Sequence, residues 1–454
     1  MSYMRGMKRY WGKVMAMKYD EFLTTKLKQD IEAGFSVDDA DINALLYDFQ
    51  RDAVRWALRK GKAAVFFDCG LGKTAVQLEW GVKVVEHTGK PVLIFAPLAV
   101  SMQTRREGIK FGIDVTVCKE ASDVSDGVNI TNYQRIERFD LNKFSGVVLD
   151  ESSILRSFSG KFRNMLIEMS RLIPYKLCCT ATPVPNDYME LGNHSEFLDI
   201  LNRSEMLANF FVHDSSETQK WRLKGHARDV FWKWMASWAV MMRNPADMGY
   251  DGAKFVLPPL NLHEHIIKSE TPPEGMLFPV EAKTLEEQRA AKRATISIRA
   301  VEVAALINGS SDQWLIWCSL NDESKTLTAA IDGAVEVKGS DSIEHKEMAM
   351  LGFSQGDVHA LVTKPSIAGH GMNWQKCHNM AFVGLSHSWE EFYQATRRCW
   401  RFGQDRPVDA HIILSDMEMR IVRNVRRKER QFEEMYAGML KNSSIYMRDE
   451  LKGM

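Results

Sequence analysis

The chain is 454 residues long, with 45% hydrophobic and 26% charged residues, a balance typical of globular domains. Its length allows two or three domains. The formal net charge is zero, which argues weakly against a nucleic-acid partner without excluding a local basic path.

Seven scattered cysteines lack zinc-ligand spacing, so we interpret them as free thiols. The N-terminus lacks a signal peptide's apolar core and no apolar run approaches the ~20 residues of a membrane span, so we expect a soluble, cytoplasmic protein.

Short apolar runs alternate with amphipathic helical stretches along most of the chain. Uninterrupted apolar strands separated by helices are typical of parallel α/β sheets. The runs form two sets, at residues 63–68, 92–96, 146–150 and 176–180, and at residues 314–319, 360–363, 380–384 and 410–414. We therefore predict an α/β fold with two parallel-sheet lobes in tandem.

A tryptophan-rich stretch separates the two sets of strands. Phe231, Trp234 and Trp238 recur at helical spacing, with Met242 following, which predicts one apolar helical face. We interpret this face as core packing, and a platform on which nucleic-acid bases stack is the alternative. The predicted organisation is a basic extension at 1–39, a first lobe at 40–198, a helical insert and linker at 199–254, a second lobe at 255–440 and a tail at 441–454.

The segment from Phe66 to Thr74 reads FFDCGLGKT, and it lies between a predicted strand and a predicted helix at 75–86. In that setting the backbone N–H groups of a glycine-containing loop can surround a phosphate. Lys73 would supply charge to the β- and γ-phosphates, and the Thr74 hydroxyl would ligate Mg²⁺. The full phosphate-loop pattern has glycine where Phe67 stands, so a chance turn is the alternative for this motif alone.

Two acids, Asp150 and Glu151, end another apolar strand further along the chain. A carboxylate at the carboxyl end of a strand can hold the Mg²⁺ shell, which suits Asp150. The next carboxylate can orient and deprotonate an attacking water, which suits Glu151. A solvated acidic turn is the alternative, and the strand before the pair and Lys73 upstream make that alternative less favourable.

A basic helix is predicted near the end of the second lobe. Gln394, Arg398 and Arg401 lie at positions i, i+4 and i+7, which would place them on one face. Two guanidinium groups there can pair with phosphate oxygens and offset charge developing in a transition state. A solvated surface helix is the alternative for this segment alone.

Together these segments resemble the superfamily-two helicases and, within them, the Swi/Snf-like branch. The segments that carry the resemblance are 46–50 (the adenine-positioning segment), 70–74 (motif I), 131–133 (motif Ib), 150–153 (motif II), 180–183 (motif III), 366–373 (motif V) and 394–404 (motif VI). The resemblance covers roughly residues 40–195 and 255–415, and compact phage- or prophage-encoded members are the most similar. Thr104 and Arg397 depart from the branch, which often has Trp and Asp at these positions.

The resemblance implies two RecA-like lobes that hydrolyse ATP, with Mg²⁺, at their interface. It gives catalytic roles to Lys73, Glu151, Arg398 and Arg401, the two arginines acting as arginine fingers. It implies ATP binding by Gln50, Gly70, Gly72, Lys73, Thr74 and Gly371, and Mg²⁺ binding by Thr74 and Asp150. It assigns the coupling between the two lobes to Thr180, Thr182 and Gln394.

The resemblance also implies a DNA partner, double-stranded and bound without sequence specificity. The implied contacts lie on loops, at Pro97, Thr131, Tyr133, Ser319, Lys364, His370 and Asn373. We therefore expect an ATP-dependent DNA translocase in the cytoplasm of a bacterial or phage-infected cell, with a protein partner supplying pathway specificity. A strand-unwinding helicase on forked DNA or RNA is one alternative, and a nucleotide-regulated DNA-binding scaffold with little turnover is another.

Overall fold

The computed structural model describes residues 33–97, 100–157, 160–213, 221–268, 285–369 and 372–452. Contacts divide the chain into two compact units. The first unit runs to Lys254 and also contains the chain from Glu434 onward, and the second is Phe255–Glu433. Each unit is built on its own parallel sheet, of seven strands in the first and six in the second. The predicted α/β fold with two parallel-sheet lobes is therefore confirmed.

The first unit contains nine strands within its described residues: β1 (Lys62–Phe67), β2 (Val92–Ala96), β3 (Val115–Val117), β4 (Val128–Asn132), β5 (Gly146–Asp150), β6 (Tyr175–Cys179), β7 (Phe211–His213), β8 (Trp221–Leu223) and β9 (Ala239–Met242). Its sheet has the order β3-β4-β2-β5-β6-β1-β9, and all neighbours are parallel. β7 and β8 form a separate antiparallel pair. The central strands β2, β5 and β6 are buried along their whole length, which explains their uninterrupted apolar runs.

The helices of the first unit are α1 (Asp48–Lys60), α2 (Lys73–Thr88), α3 (Ser101–Lys110), α4 (Ile154–Ser157), α5 (Gly160–Met169), α6 (Leu191–Phe197), α7 (Arg203–Phe210) and α8 (Arg228–Ala236). α2 connects β1 to β2 and packs on the sheet with a largely buried face. Only the loop 68–72 separates the start of α2 from the carboxyl end of β1.

The tryptophan-rich stretch belongs to the first unit. Its helix α8 ends at Ala236, and β9 then pairs with β1, with Ala64 opposite Ala239. The prediction that Trp238 and Met242 continue one helical face is therefore wrong, because pairing with the edge of β1 outweighs the local helical period. Trp234 and Trp238 are 4% and 0% exposed and their rings lie 5.3 Å apart, as expected for core packing.

The second unit contains β10 (Leu260–Ile267), β11 (Trp314–Cys318), β12 (Ala334–Val337), β13 (Ala360–Thr363), β14 (Asn379–Val383) and β15 (Val408–Ser415). Its sheet has the order β10-β15-β14-β11-β13-β12, again with parallel neighbours. The helices that follow α8 are α9 (Leu285–Ala294), α10 (Ile296–Ile307), α11 (Asn321–Ala330), α12 (Ile343–Gln355), α13 (Pro365–Ala368), α14 (Trp389–Thr396) and α15 (Met419–Lys452).

The last helix, α15, is 34 residues long, and the division between the units falls within it. From Glu434 its residues pack in the first unit, where Glu450 pairs with Lys60 at 2.8 Å and Tyr436 lies under the guanidinium of Arg243. The contact boundary at Glu433 precedes the boundary at 440 that the sequence suggested. No helix in the described parts of the chain is both long and apolar enough to cross a membrane.

Candidate nucleotide site

The candidate site lies at the carboxyl edge of the first sheet. β5, β6 and β1 are adjacent there, and Cys179 at the end of β6 lies opposite both Asp150 and Val65. The loop after β1, the acids that end β5 and the threonines that follow β6 are therefore brought to one edge. Ligands of parallel α/β sheets bind outside this edge.

The loop from Asp68 to Gly72, predicted to bind phosphate, contains two glycines with positive φ angles. Gly70 and Gly72 have φ angles of +90° and +75°, in the left-handed region that favours glycine. Lys73 then starts α2, a helix of 16 residues whose first N–H groups form a site suited to an anion. The Lys73 ammonium donates to the Phe67 carbonyl oxygen at 2.9 Å, which holds the charge beside the loop.

Phe67, which stands where the full pattern has glycine, is the last residue of β1. Its side chain is fully buried, with its ring 5.8 Å from that of Phe49. The departure from the pattern is therefore accommodated in the core, because this position belongs to the strand and not to the loop predicted to bind phosphate.

Gln50 ties the start of α1 to the glycine loop. Its side-chain oxygen accepts from the Tyr47 N–H at 3.0 Å, and its side-chain nitrogen donates to the Leu71 carbonyl at 3.0 Å. A Cβ on Gly72 would lie 2.3 Å from that nitrogen. The residue predicted to read adenine and the loop predicted to hold phosphate are thus in direct contact.

Asp150 is a buried carboxyl group whose Oδ1 accepts from the Gln77 side chain at 2.8 Å. Burial, followed by the neighbouring Glu151, raises the pKa of Asp150 to about 6, while Gln77 and Lys73 act in the opposite direction. A bound cation would favour the ionised form, so this buried carboxylate fits a Mg²⁺ ligand. Among the described residues, no cluster of three or more His, Cys, Asp or Glu side chains could hold a metal. Thr74, the other residue predicted to bind Mg²⁺, is the second residue of α2.

Glu151 has a φ angle of +53° and is one of two non-glycine residues with positive φ in the described parts of the chain. Such a conformation costs about 1–3 kcal/mol and is concentrated at functional sites. Its carboxylate accepts from the Thr180 hydroxyl at 3.3 Å, and that hydroxyl accepts from the Thr182 N–H at 3.1 Å. The Thr180 hydroxyl is therefore hydrogen-bonded both to Glu151 and to Thr182, the other threonine of the predicted motif III.

In the second unit, Gln394, Arg398 and Arg401 lie together, but not on one helical face. α14 ends at Thr396, and the N–H groups of Arg398 and Cys399 then donate to carbonyls three residues back, so the α-helix does not extend to Arg401. The helical prediction for the arginines is therefore wrong. Instead, Arg398 donates to the Gln394 backbone and side-chain oxygens at 2.9 and 3.1 Å, and both arginines donate to the carbonyl of Met372.

Two of the predicted DNA contacts have buried side chains. The Thr131 hydroxyl donates to the Cys118 carbonyl at 2.9 Å, and the Tyr133 hydroxyl donates to the Asp150 carbonyl at 2.7 Å. Both residues are 1% exposed, so neither side chain is accessible in this structure, and DNA contact at these two positions stays a prediction. Thr131 lies within β4, and Tyr133 begins the short 3-10 helix that follows this strand.

The other predicted DNA contacts are partly accessible. Pro97 follows β2 and is half-buried, and Asn373 is also half-buried. The Ser319 hydroxyl donates to the Gly384 carbonyl at 2.8 Å, and the Lys364 ammonium donates to Asn321 at 2.6 Å in an exposed position. His370, and Gly371 of the predicted ATP set, lie outside the described residues.

Sequence reasoning missed two side chains at this site, Gln77 and His194. Gln77 lies four residues after Lys73 on the same helix, so helical spacing could have identified it. His194, on α6, contacts the Ser152 hydroxyl at 3.1 Å. No local pattern predicts this contact, because the two residues are 42 positions apart and meet only in the folded unit.

No protein-family model matches the chain, and no curated protein matches it. A solved structure with a similar fold is the Sulfolobus solfataricus SWI2/SNF2 ATPase core in complex with dsDNA. The two chains are 18% identical, the match covers 90% of this chain and 96% of that chain, and the TM-score is 0.43. A likeness at this level carries no conclusion about this chain, and nothing in it supports the finer expectation of a phage or prophage origin.

Proposed function

We propose that this chain is a nucleic-acid-dependent ATPase that uses ATP hydrolysis to move along duplex DNA. The observation that carries the proposal is the arrangement at one sheet edge of the first unit. A left-handed glycine loop and Lys73 at the start of a long helix follow β1, two carboxyl groups with different surroundings stand at the end of β5, and β6 pairs with both strands. Binding of a nucleoside triphosphate and activation of water are the chemistry that this set supports best.

Each residue has a separate part in the proposed reaction. Gln50 recognises the adenine, while Lys73 and the loop N–H groups bind the phosphates. Asp150 and Thr74 would hold Mg²⁺, which supplies charge neutralisation at the phosphates when it is bound. Glu151 accepts the proton of the attacking water, with its carboxylate oriented by Thr180.

The DNA-dependent part of the proposal rests on the motif resemblance and on charged side chains of the second unit. Arg398 and Arg401 are proposed to stabilise charge on the transferred phosphate. Their guanidinium groups are held by hydrogen bonds to Gln394 and Met372, which reduces the conformational freedom lost when a phosphate binds. Lys364 and Ser319 are proposed to contact the DNA backbone.

The test is steady-state ATPase activity without nucleic acid and with single-stranded DNA, duplex DNA or RNA. We expect the greatest stimulation by duplex DNA. Stimulation by RNA or forked DNA alone, together with strand separation, would favour the helicase alternative. Tight ATP binding without turnover under all conditions would favour the scaffold.

Two variants and one control connect the activity to this site. Lys73→Ala should lose ATP binding, and Glu151→Gln should keep ATP binding while hydrolysis slows by about 10²–10⁴-fold. Lys83→Ala is the control, because Lys83 lies further along the same helix and pairs with Glu86 at 2.9 Å. Wild-type turnover in Glu151→Gln would show that another group is the base.

A further inference from the structure

The strained backbone of Glu151 is held by bonds to the residues on either side of it. On one side, the Asp150 carbonyl accepts from the buried Tyr133 hydroxyl at 2.7 Å. On the other side, the Ser152 N–H donates to the Cys179 carbonyl at 2.9 Å, which extends the pairing of β5 with β6 past the end of the strand. A positive φ at a non-glycine residue persists only where neighbouring contacts enforce it.

Ser152 has a second anchor, through its side chain. Its hydroxyl is fully buried and lies 3.1 Å from Nε2 of His194. The other ring nitrogen of His194 lies 3.4 Å from the Glu190 carbonyl, which can only accept. In the neutral ring Nδ1 therefore carries the hydrogen, and Nε2 accepts from the Ser152 hydroxyl.

The surroundings keep His194 neutral and fixed. Burial lowers the pKa of His194 to about 4, so the ring is uncharged at neutral pH. Its edge packs against Phe66 of β1, with 5.2 Å between ring centroids. The acceptor for Ser152 is thus part of the packed core and not a mobile surface group.

We infer that Tyr133 and His194 are positioning residues that hold Glu151 in its left-handed conformation and so aim its carboxylate at the attacking water. This inference rests on the proposed ATPase function. Tyr133 acts through the Asp150 carbonyl and His194 acts through Ser152, so both work through the backbone that flanks Glu151.

Loss of either anchor would let Glu151 relax toward an unstrained φ and move its carboxylate away from Thr180. A displacement of about 1 Å at a reacting group can slow a reaction by about 10²-fold. ATP affinity depends instead on Lys73 and the glycine loop. The two anchors should therefore affect kcat much more than the Kd for ATP.

The experiment compares Tyr133→Phe, which removes one oxygen, with His194→Phe, which keeps a ring against Phe66 but removes the acceptor. Both should lower kcat by about 10–100-fold with the Kd for ATP within about twofold of wild type. His194→Gln should restore much of the activity, because its amide oxygen can accept from Ser152. Ser195→Ala is the matched control: it removes the adjacent buried hydroxyl, which donates to the Leu201 carbonyl, and should keep the wild-type kcat.

Two further measurements distinguish positioning from general destabilisation. In a Glu151→Gln background, His194→Phe should cause no additional loss of turnover, because the anchor acts only through Glu151. Hydrogen exchange at the amides of residues 152–155 should be faster in Tyr133→Phe and His194→Phe but not in Ser195→Ala. The exchange measurement detects loss of either hydrogen bond even if the wild-type protein hydrolyses no ATP. Absence of hydrolysis would reject the proposed function but would leave the positioning inference testable. The inference would be overturned if amide exchange at residues 152–155 is unchanged in both Phe variants, or if both keep the wild-type kcat. If His194→Phe does not fold, the same two measurements on Tyr133→Phe decide the question.

Discussion

A single methyl group at Gly72 should disturb adenine recognition. Gly72 has a φ angle of +75°, and an alanine Cβ there would lie 2.3 Å from the side-chain nitrogen of Gln50. Because that nitrogen is at the end of a flexible side chain, the clash is relieved when Gln50 leaves the Leu71 carbonyl. The hydrogen bond given up is worth about 0.5–1.5 kcal/mol. The left-handed backbone costs alanine a further 1–2 kcal/mol, roughly.

Gly89→Ala is the matched control for this change. Gly89 ends the same helix that Gly72 precedes, with a φ angle of +64°, and no atom lies within 4 Å of an added Cβ. It should therefore cost only the roughly 1–2 kcal/mol of the left-handed backbone. Urea unfolding should show a free energy of unfolding lower in Gly72→Ala than in Gly89→Ala by about the value of one hydrogen bond.

The decisive assay is competition between ATP and GTP for the nucleotide site. Gly72→Ala should weaken ATP binding by about tenfold, equivalent to about 1.4 kcal/mol, and should reduce the preference for ATP over GTP. In a Gln50→Ala background the same substitution should have little further effect, because the displaced group is already gone. Equal ATP affinity and equal base preference in Gly72→Ala and Gly89→Ala would refute the reasoning.

Three further predictions concern other parts of the molecule. Arg401→Ala should bind ATP nearly normally but hydrolyse it about 10³–10⁵-fold more slowly, with poor rescue by lysine, and normal DNA-stimulated turnover would exclude an arginine finger at this position. Because the folded-state pKa of Asp150 is raised to about 6, its ionised form destabilises the nucleotide-free protein as pH rises through that value. Asp150→Asn should therefore raise Tm at about pH 7.5 but not near pH 4, measured without Mg²⁺, and equal shifts at both pH values would contradict this. Trp238→Ala should lower the free energy of unfolding by about 3–5 kcal/mol while the folded fraction keeps its DNA affinity, whereas weaker DNA binding at unchanged stability would favour a base-stacking platform.

The sequence by itself determined the features that depend on local pattern. The strands at 92–96 and 146–150 have the bounds that their apolar runs predicted, because a strand buried on both faces must be apolar throughout. The glycine loop and the paired acids could be found because phosphate and metal chemistry require particular residue types next to a strand or a helix start. The order of Lys73, Asp150 and Thr180 along the chain carried the resemblance to a known branch of motors.

Tertiary structure decided the features that depend on contacts between distant residues. Only the folded sheet shows that Trp238 leads into a strand beside β1, because strand pairing outweighs a helical period. Similarly, Arg398 lies past the end of α14, and its carbonyl accepts from the N–H of the distant Trp374. Tyr133 was predicted to contact DNA, yet its hydroxyl binds the Asp150 backbone inside the first unit. Sequence pattern identifies which side chains can carry out the chemistry, whereas burial and long-range hydrogen bonds determine which of them face the reacting groups and which hold those groups in place.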